Sequence, residues 1–198
     1  MDIAKKIAEE LEIKVTQVEA AVKLIDEGCT IPFIARYRKE VTGALNDEQL
    51  RNLDERLKYL RNLEDRKAQV LASIEEQGKL TPELKAQIVA AETQVLVDDL
   101  YRPYRPKRRT RATIAKEKGL EPLAVLISLQ NSKEPLEKEA EKYVSEEKGV
   151  KNVQEAIDGA KDILAENISD EADYRKRIRD LTFKKGTLVS AAKDEKAE

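Results

Sequence analysis

The chain has 198 residues, a formal net charge of −2 and no histidine. Charged residues make up 38%, six tyrosines and two phenylalanines are the only aromatics, and glycine and proline are few, which selects an all-α protein of one large or two small domains. Lacking histidine, it has no usual general base and no Ser–His or Cys–His nucleophile. It carries no glycine-rich phosphate loop, and no apolar run approaches the ~20 residues that span a bilayer. Cys29 is the single cysteine, so no intrachain disulfide forms, and a reducing cytoplasm is the expected location. The opening stretch is amphipathic without a secretory apolar core. Acids are plentiful but no DxD-type cluster singles out a hydrolytic pair or a metal site, so the chain reads as non-enzymatic, with no cofactor.

In chain order, Ile3, Ile7 and Leu11 form one helical stripe. A second helix is predicted from a Thr16 cap, burying Val18, Val22 and Ile25 and ending at Gly28. Pro32 suits a fresh helix start, and residues 31–41 read as a helix with Ile34, Tyr37 and Val41 on one face. Arg36, Arg38 and Lys39 beside Tyr37 read as an ordinary surface group. Asn46 and Gln49 make a capping box for the longest helix, over 47–77, with Leu50, Leu53, Leu57, Leu60 and Leu63 in steps of three or four. At 1.5 Å per residue it is a spine of ~46 Å. Thr81-Pro82 starts another helix. Residues 94–100 are helical and run into a basic segment, after which a helix ends at Gly119. Pro122 opens a helix whose run Leu123 to Leu129 reads as core. Residues 135–148 read as a charged helix. Asn152 with Glu155 predicts a second capping box, and Ser169 or Asp170 a cap for a last helix with Tyr174, Ile178 and Leu181 on one face. The predicted organisation is a short-helix unit over 1–45, a connecting helix over 46–78, a helical unit over 79–192 and a frayed tail at 193–198.

The most informative stretch is the basic segment, residues 101–111. It holds Arg102, Arg105, Lys107, Arg108, Arg109 and Arg111, with Tyr101 and Tyr104 and no acid. Residues 100–119 carry eight basic residues and one acid, or +7, so the rest of the chain sums to −9. Pro103 and Pro106 push Arg102 and Arg105 toward extended or polyproline-II backbone and display the cations along a stiff strip. Two readings follow. Asp98 and Asp99 fold back onto the arginines as internal glue. Otherwise the cations meet phosphates of RNA or DNA while Tyr101 and Tyr104 stack on unpaired bases. Four to six phosphate contacts imply a log–log salt slope of roughly −3 to −5. A second basic stretch, 174–185, reads mainly as a solvated face of an amphipathic helix.

The segments TIPFIARYRKEVTGALNDEQL (30–50) and VDDLYRPYRPKRRTRATIAKEKGLEPLA (97–124) closely resemble the N-terminal region of the bacterial Tex family of transcription accessory proteins, and the similarity extends over nearly the whole chain. The resemblance implies a mostly helical region with a helix-turn-helix-like portion and a long helix. It also implies that the chain is a fragment, ending before the family's RNase-H-like, helix-hairpin-helix and OB-fold domains. No catalytic residue is implied in this region. The implied partners are nucleic acid, bound without sequence preference, the missing domains, and the transcription machinery, with no membrane. A scaffold that braces those domains or docks a transcription partner is the alternative.

Overall fold

The computed structural model describes residues 2–190; the tail predicted at 193–198 lies outside the described residues. These residues form helices joined by turns, with one isolated bridge between Ser145 and Val150. No described helix is long and apolar enough to cross a membrane. Two compact units divide the chain, residues 1–97 and 98–198.

The first unit contains α1 (Ile3–Glu10), α2 (Val15–Asp26), α3 (Ile31–Tyr37), α4 (Asp47–Glu76), α5 (Pro82–Ala90) and the start of α6 (Gln94–Tyr101). Its frame is α4, which packs against α1, α2, α3 and α5. The predicted capping box closes its first turn: the Gln49 amide donates to Asn46 Oδ1 at 2.8 Å, and the Asn46 amide to Gln49 Oε1 at 3.0 Å. Leu50, Leu53, Leu57, Leu60, Leu63, Val70 and Ile74 are all buried along one face, and each such burial contributes about 1.5–3 kcal/mol relative to exposure. The same stripe contains Lys67, only 4% exposed. Its ammonium donates to Glu64 Oε1 and to the Val89 carbonyl on α5, both at 2.9 Å, so the buried charge has a carboxylate and a carbonyl to compensate its burial.

Three details of this unit differ from the pattern reading. Residue 16 is not the cap of α2; Lys14 holds that position, and its amide donates to Gln17 Oε1 at 3.1 Å. The buried face is therefore Val18, Ala21 and Leu24, with Val22 and Ile25 half-buried. Helix α3 stops at Tyr37, so Ile34 is buried while Tyr37 and Val41 are exposed. The chain turns there because the Arg38 carbonyl accepts from the Val41 and Thr42 amides, at 3.1 Å each, and from the buried Thr42 hydroxyl at 3.3 Å. Gln17 Nε2 then donates to the Gly43 carbonyl at 2.8 Å and pins the turn to α2. Gly43 has φ +63°, and a Cβ there would lie 2.8 Å from Gln17 Nε2, so this turn needs glycine.

The second unit contains the end of α6, a 3-10 turn (Arg102–Tyr104), α7 (Arg111–Glu117), α8 (Glu121–Leu129), α9 (Leu136–Glu141), α10 (Val153–Asp170) and α11 (Ala172–Lys185). Helix α10 is its centre and packs against α7, α8, α9, α11 and the 3-10 turn. Leu120, Leu123, Val150, Ala156, Ala160 and Ile163 are buried in its core. At Gly159 an added Cβ would lie 2.4 Å from Leu120 Cδ1, so the absent side chain lets Leu120 seat against α10.

Here too the outcome departs from the periodicity. The charged helix predicted over 135–148 is only α9, because Ser145 and Val150 exchange backbone hydrogen bonds of 2.9 and 2.8 Å around Gly149 at φ +72°. Asn152 does cap α10, accepting from the Glu155 amide at 2.9 Å; the Glu155 carboxylate binds the Lys151 amide instead of completing the box. Asp170 caps nothing; it is the last residue of α10, and α11 begins without a side-chain cap. Within the Leu123–Leu129 run, Leu123 and Ala124 are core, whereas Val125 and Leu129 are exposed. Tyr174, Ile178 and Leu181 on α11 are exposed as well.

Candidate nucleic-acid interface

Residues 101–111 link α6 to α7. Arg102 does not adopt the extended backbone expected from Pro103, since the 3-10 turn continues from α6 with proline early in the turn, where no amide is needed. Arg105 does: at φ −65° and ψ 131° it is polyproline-like. Thr110 then caps α7, its hydroxyl accepting from the Thr113 amide at 3.0 Å and also meeting Glu166 Oε1 at 3.0 Å.

The counterions of the segment come mostly from α10. Asp162, Glu166 and Asp170 are spaced by four residues and so lie along one side of that helix. Arg102 Nε donates to Asp170 Oδ1 at 2.8 Å. Lys107 Nζ bonds Asp170 Oδ2 and lies 3.4 Å from Glu166 Oε2. Asp170 is buried, and these contacts tie the segment to the end of α10. Arg109 pairs with Glu117 of α7 at 2.8 Å, with both side chains exposed. Arg111, 86% exposed at its side chain, stands 3.7 Å from Asp162. Exposed pairs of this kind are worth about 0–1 kcal/mol and give way to a better anion. Arg105 and Arg108 are exposed and have no ion pair among the described residues. Tyr101 and Tyr104 are half-buried, which restricts the ring face available to a base.

The six cations thus fall into three pairs. Arg102 and Lys107 are held by Asp170 and Glu166, which are mostly buried, exposed Arg109 and Arg111 pair with exposed Glu117 and half-buried Asp162, and Arg105 and Arg108 have no carboxylate partner among the described residues. Internal pairing of Arg102 and Lys107 thus runs through Asp170 and Glu166 rather than through Asp99. Asp99 does not fold back onto the segment. It is 4% exposed and binds Arg175 Nε at 2.7 Å and Arg179 Nη2, so it ties α6 to α11. Burial pushes the Asp99 carboxyl up, but the hydrogen bonds and charges of Arg175 and Arg179 outweigh it and hold the group below the usual Asp range. Two cations of the second basic stretch are thereby structural. The residues the pattern reading missed, Asp162, Glu166 and Asp170, carried part of a signal: acids four apart on the helix predicted from Asn152, with Asp170, read there as a cap candidate for the next helix, in the same register.

Comparison with known proteins places the sequence that carries this geometry. Residues 1–75 match the Tex-like protein N-terminal domain, and residues 130–198 match a Tex central region-like domain. The transcriptional accessory protein Tex of Neisseria gonorrhoeae is 47% identical over 188 residues, covering 95% of this chain and 24% of that protein. Protein tex of Bordetella pertussis is 48% identical over 188 residues, with 95% and 24% covered. A human relative, S1 RNA-binding domain-containing protein 1, is 26% identical over 193 residues, which cover 96% of this chain and 19% of that protein. The chain spans about a quarter of the length of the bacterial relatives. Both matched domains and the identity along nearly the whole chain show that it belongs to the N-terminal region of the Tex transcription accessory family.

Proposed function

We propose that this chain is a non-enzymatic helical module of a Tex-type protein that makes sequence-independent contacts with the phosphate backbone of RNA or DNA. The observation that carries the reading is the incomplete neutralisation of residues 101–111. Arg105 and Arg108 stand exposed with no ion pair among the described residues, and exposed Arg109 and Arg111 pair only with exposed Glu117 and half-buried Asp162 there. Arg102 and Lys107, braced on Asp170, set the position of the strip rather than meet the ligand. Phosphate contacts of this kind position a polyanion without reading its bases. A family whose human relative is named for an S1 RNA-binding domain suits such a role.

The test is titration of single-stranded RNA and duplex DNA at several salt concentrations. With about two to four contacts in place of the four to six read from the sequence, the expected log–log slope for duplex is about −2 to −4. Salt-independent binding, or none at low salt, overturns the reading.

The braced pair supports a second reading, a scaffold in which the segment is mainly internal structure. Replacing Arg105 and Arg108 by glutamine separates the two. Weaker binding with an unchanged melting temperature supports the contact role, and a lowered melting temperature with unchanged binding supports the scaffold.

A further inference from the structure

We propose a second site, in the first unit and independent of residues 101–111: the exposed side of α3 and the turn after it is a stacking platform for single-stranded nucleic acid. Phe33 and Tyr37 are 37% and 56% exposed, and their rings lie 5.4 Å apart at 48°. Arginines lie against both: the Arg38 guanidinium is 5.2 Å from the Phe33 ring centre and that of Arg36 is 5.9 Å from the Tyr37 ring centre. With Lys39 they bring three cations against one acid, Glu40, in residues 30–43. None of the three has a carboxylate within ion-pair distance among the described residues; Arg38 Nη1 donates only to the Tyr37 carbonyl, at 3.0 Å. Exposed aromatic side chains, each with a guanidinium against it that has no carboxylate among the described residues, are the pairing that takes an unpaired base and its phosphate together. A purely apolar partner leaves these cations unmatched, and a purely anionic one leaves the rings unused.

The platform is also held in place before any ligand arrives. Ile34 is fully buried beneath it, the Thr42 side chain is buried under the turn, and Gln17 pins the Gly43 carbonyl. Little ordering is left for binding to impose.

The chain contains no tryptophan, so Tyr37→Trp creates a single reporter at the platform. The probes are a short oligouridine, a short oligothymidine, polyphosphate and polyglutamate, added to the full chain at low salt. Quenching of the tryptophan emission by the oligonucleotides but not by the two base-free polyanions is the expected result. The uridine and thymidine arms distinguish RNA from DNA. No quenching by either oligonucleotide, or equal quenching by polyphosphate, overturns the site, and equal quenching by polyglutamate indicates an acidic protein partner instead. As a second measurement, oligonucleotide affinity is compared for Tyr37→Phe and Tyr37→Leu in an Arg105→Gln/Arg108→Gln background, so that failure of one site does not mask the other. Tyr37→Leu is expected to weaken binding about tenfold while Tyr37→Phe stays within about twofold. Equal affinities for the two variants, with both folded by circular dichroism, overturn it.

Discussion

Two arginine-rich stretches of the chain, residues 33–39 and 101–111, share an outline, aromatics beside cations, and differ in where their acids are. Residues 101–111 hold six cations, but α10 supplies Asp162, Glu166 and Asp170 to three of them and α7 supplies Glu117 to a fourth. Residues 33–39 hold three, unpaired with any carboxylate among the described residues, and their two aromatics are exposed whereas Tyr101 and Tyr104 are half-buried. Charge density along the chain is therefore a poor guide to charge available to a ligand. The weaker-looking stretch offers the better-equipped surface, because no helix in its surroundings brings it a carboxylate.

The largest expected effect breaks the braced side of this contrast. Asp170→Ala leaves Arg102 and the partly buried Lys107 without their shared partner. Allowing for the solvent that still reaches both cations, the loss is about 2–3 kcal/mol, a fall in melting temperature readable by calorimetry. A drop below about 0.5 kcal/mol would mean that these two pairs are surface decoration and that Arg102 and Lys107 are as open to ligands as the other cations.

Next comes Asp99, which anchors α6 to α11. Its carboxyl titrates below the usual Asp value, so its contribution is fully present above about pH 4 and is lost as pH falls through the lowered folded-state value. Asp99→Asn should cost about 1–2 kcal/mol at neutral pH and flatten the acid limb of the stability curve. An unchanged acid limb in thermal melts taken from pH 7 to pH 2 removes Asp99 as the anchor.

Gly43→Ala probes the frame of the α3 platform. At φ +63° an alanine carries a left-handed penalty and displaces Gln17 Nε2, so about 1–2 kcal/mol is expected by chemical denaturation. The smallest effect sharpens the comparison from the other side. Arg36→Gln with Arg38→Gln should leave stability within about 0.5 kcal/mol, since neither arginine holds an acid. A larger loss by the same measurement would place these cations in the structural class with Arg102.

Much of the frame was legible in advance. The α4 leucine stripe, the Asn46–Gln49 box, the Thr81 cap and the stops at Gly78 and Gly119 are local signals, and local signals decide where helices start and stop when nothing distant opposes them. The misses have distant causes. Helix α3 ends early because Thr42 and Gln17 hold the turn, and Gln17 belongs to another helix. The exposure of Tyr174, Ile178 and Leu181 is set by how α11 packs, which a helical period does not state. At the basic segment, only Arg105 of the two arginines expected in extended backbone adopts it. The six cations were plain. Their partition was not, because Asp170 lies 68 positions from Arg102 in the chain.

Lys67 has a bearing on how α4 and α5 find their alignment. A ladder of near-identical leucines looks much the same after sliding by one turn, so apolar contact alone distinguishes poorly between neighbouring settings. The ammonium does not share that tolerance: its bond to the Val89 carbonyl exists in one setting, and a slip of ~5.4 Å would leave it with Glu64 of its own helix alone. One polar rung in the stripe thus works as a keyed tooth, trading some adhesion for a unique fit.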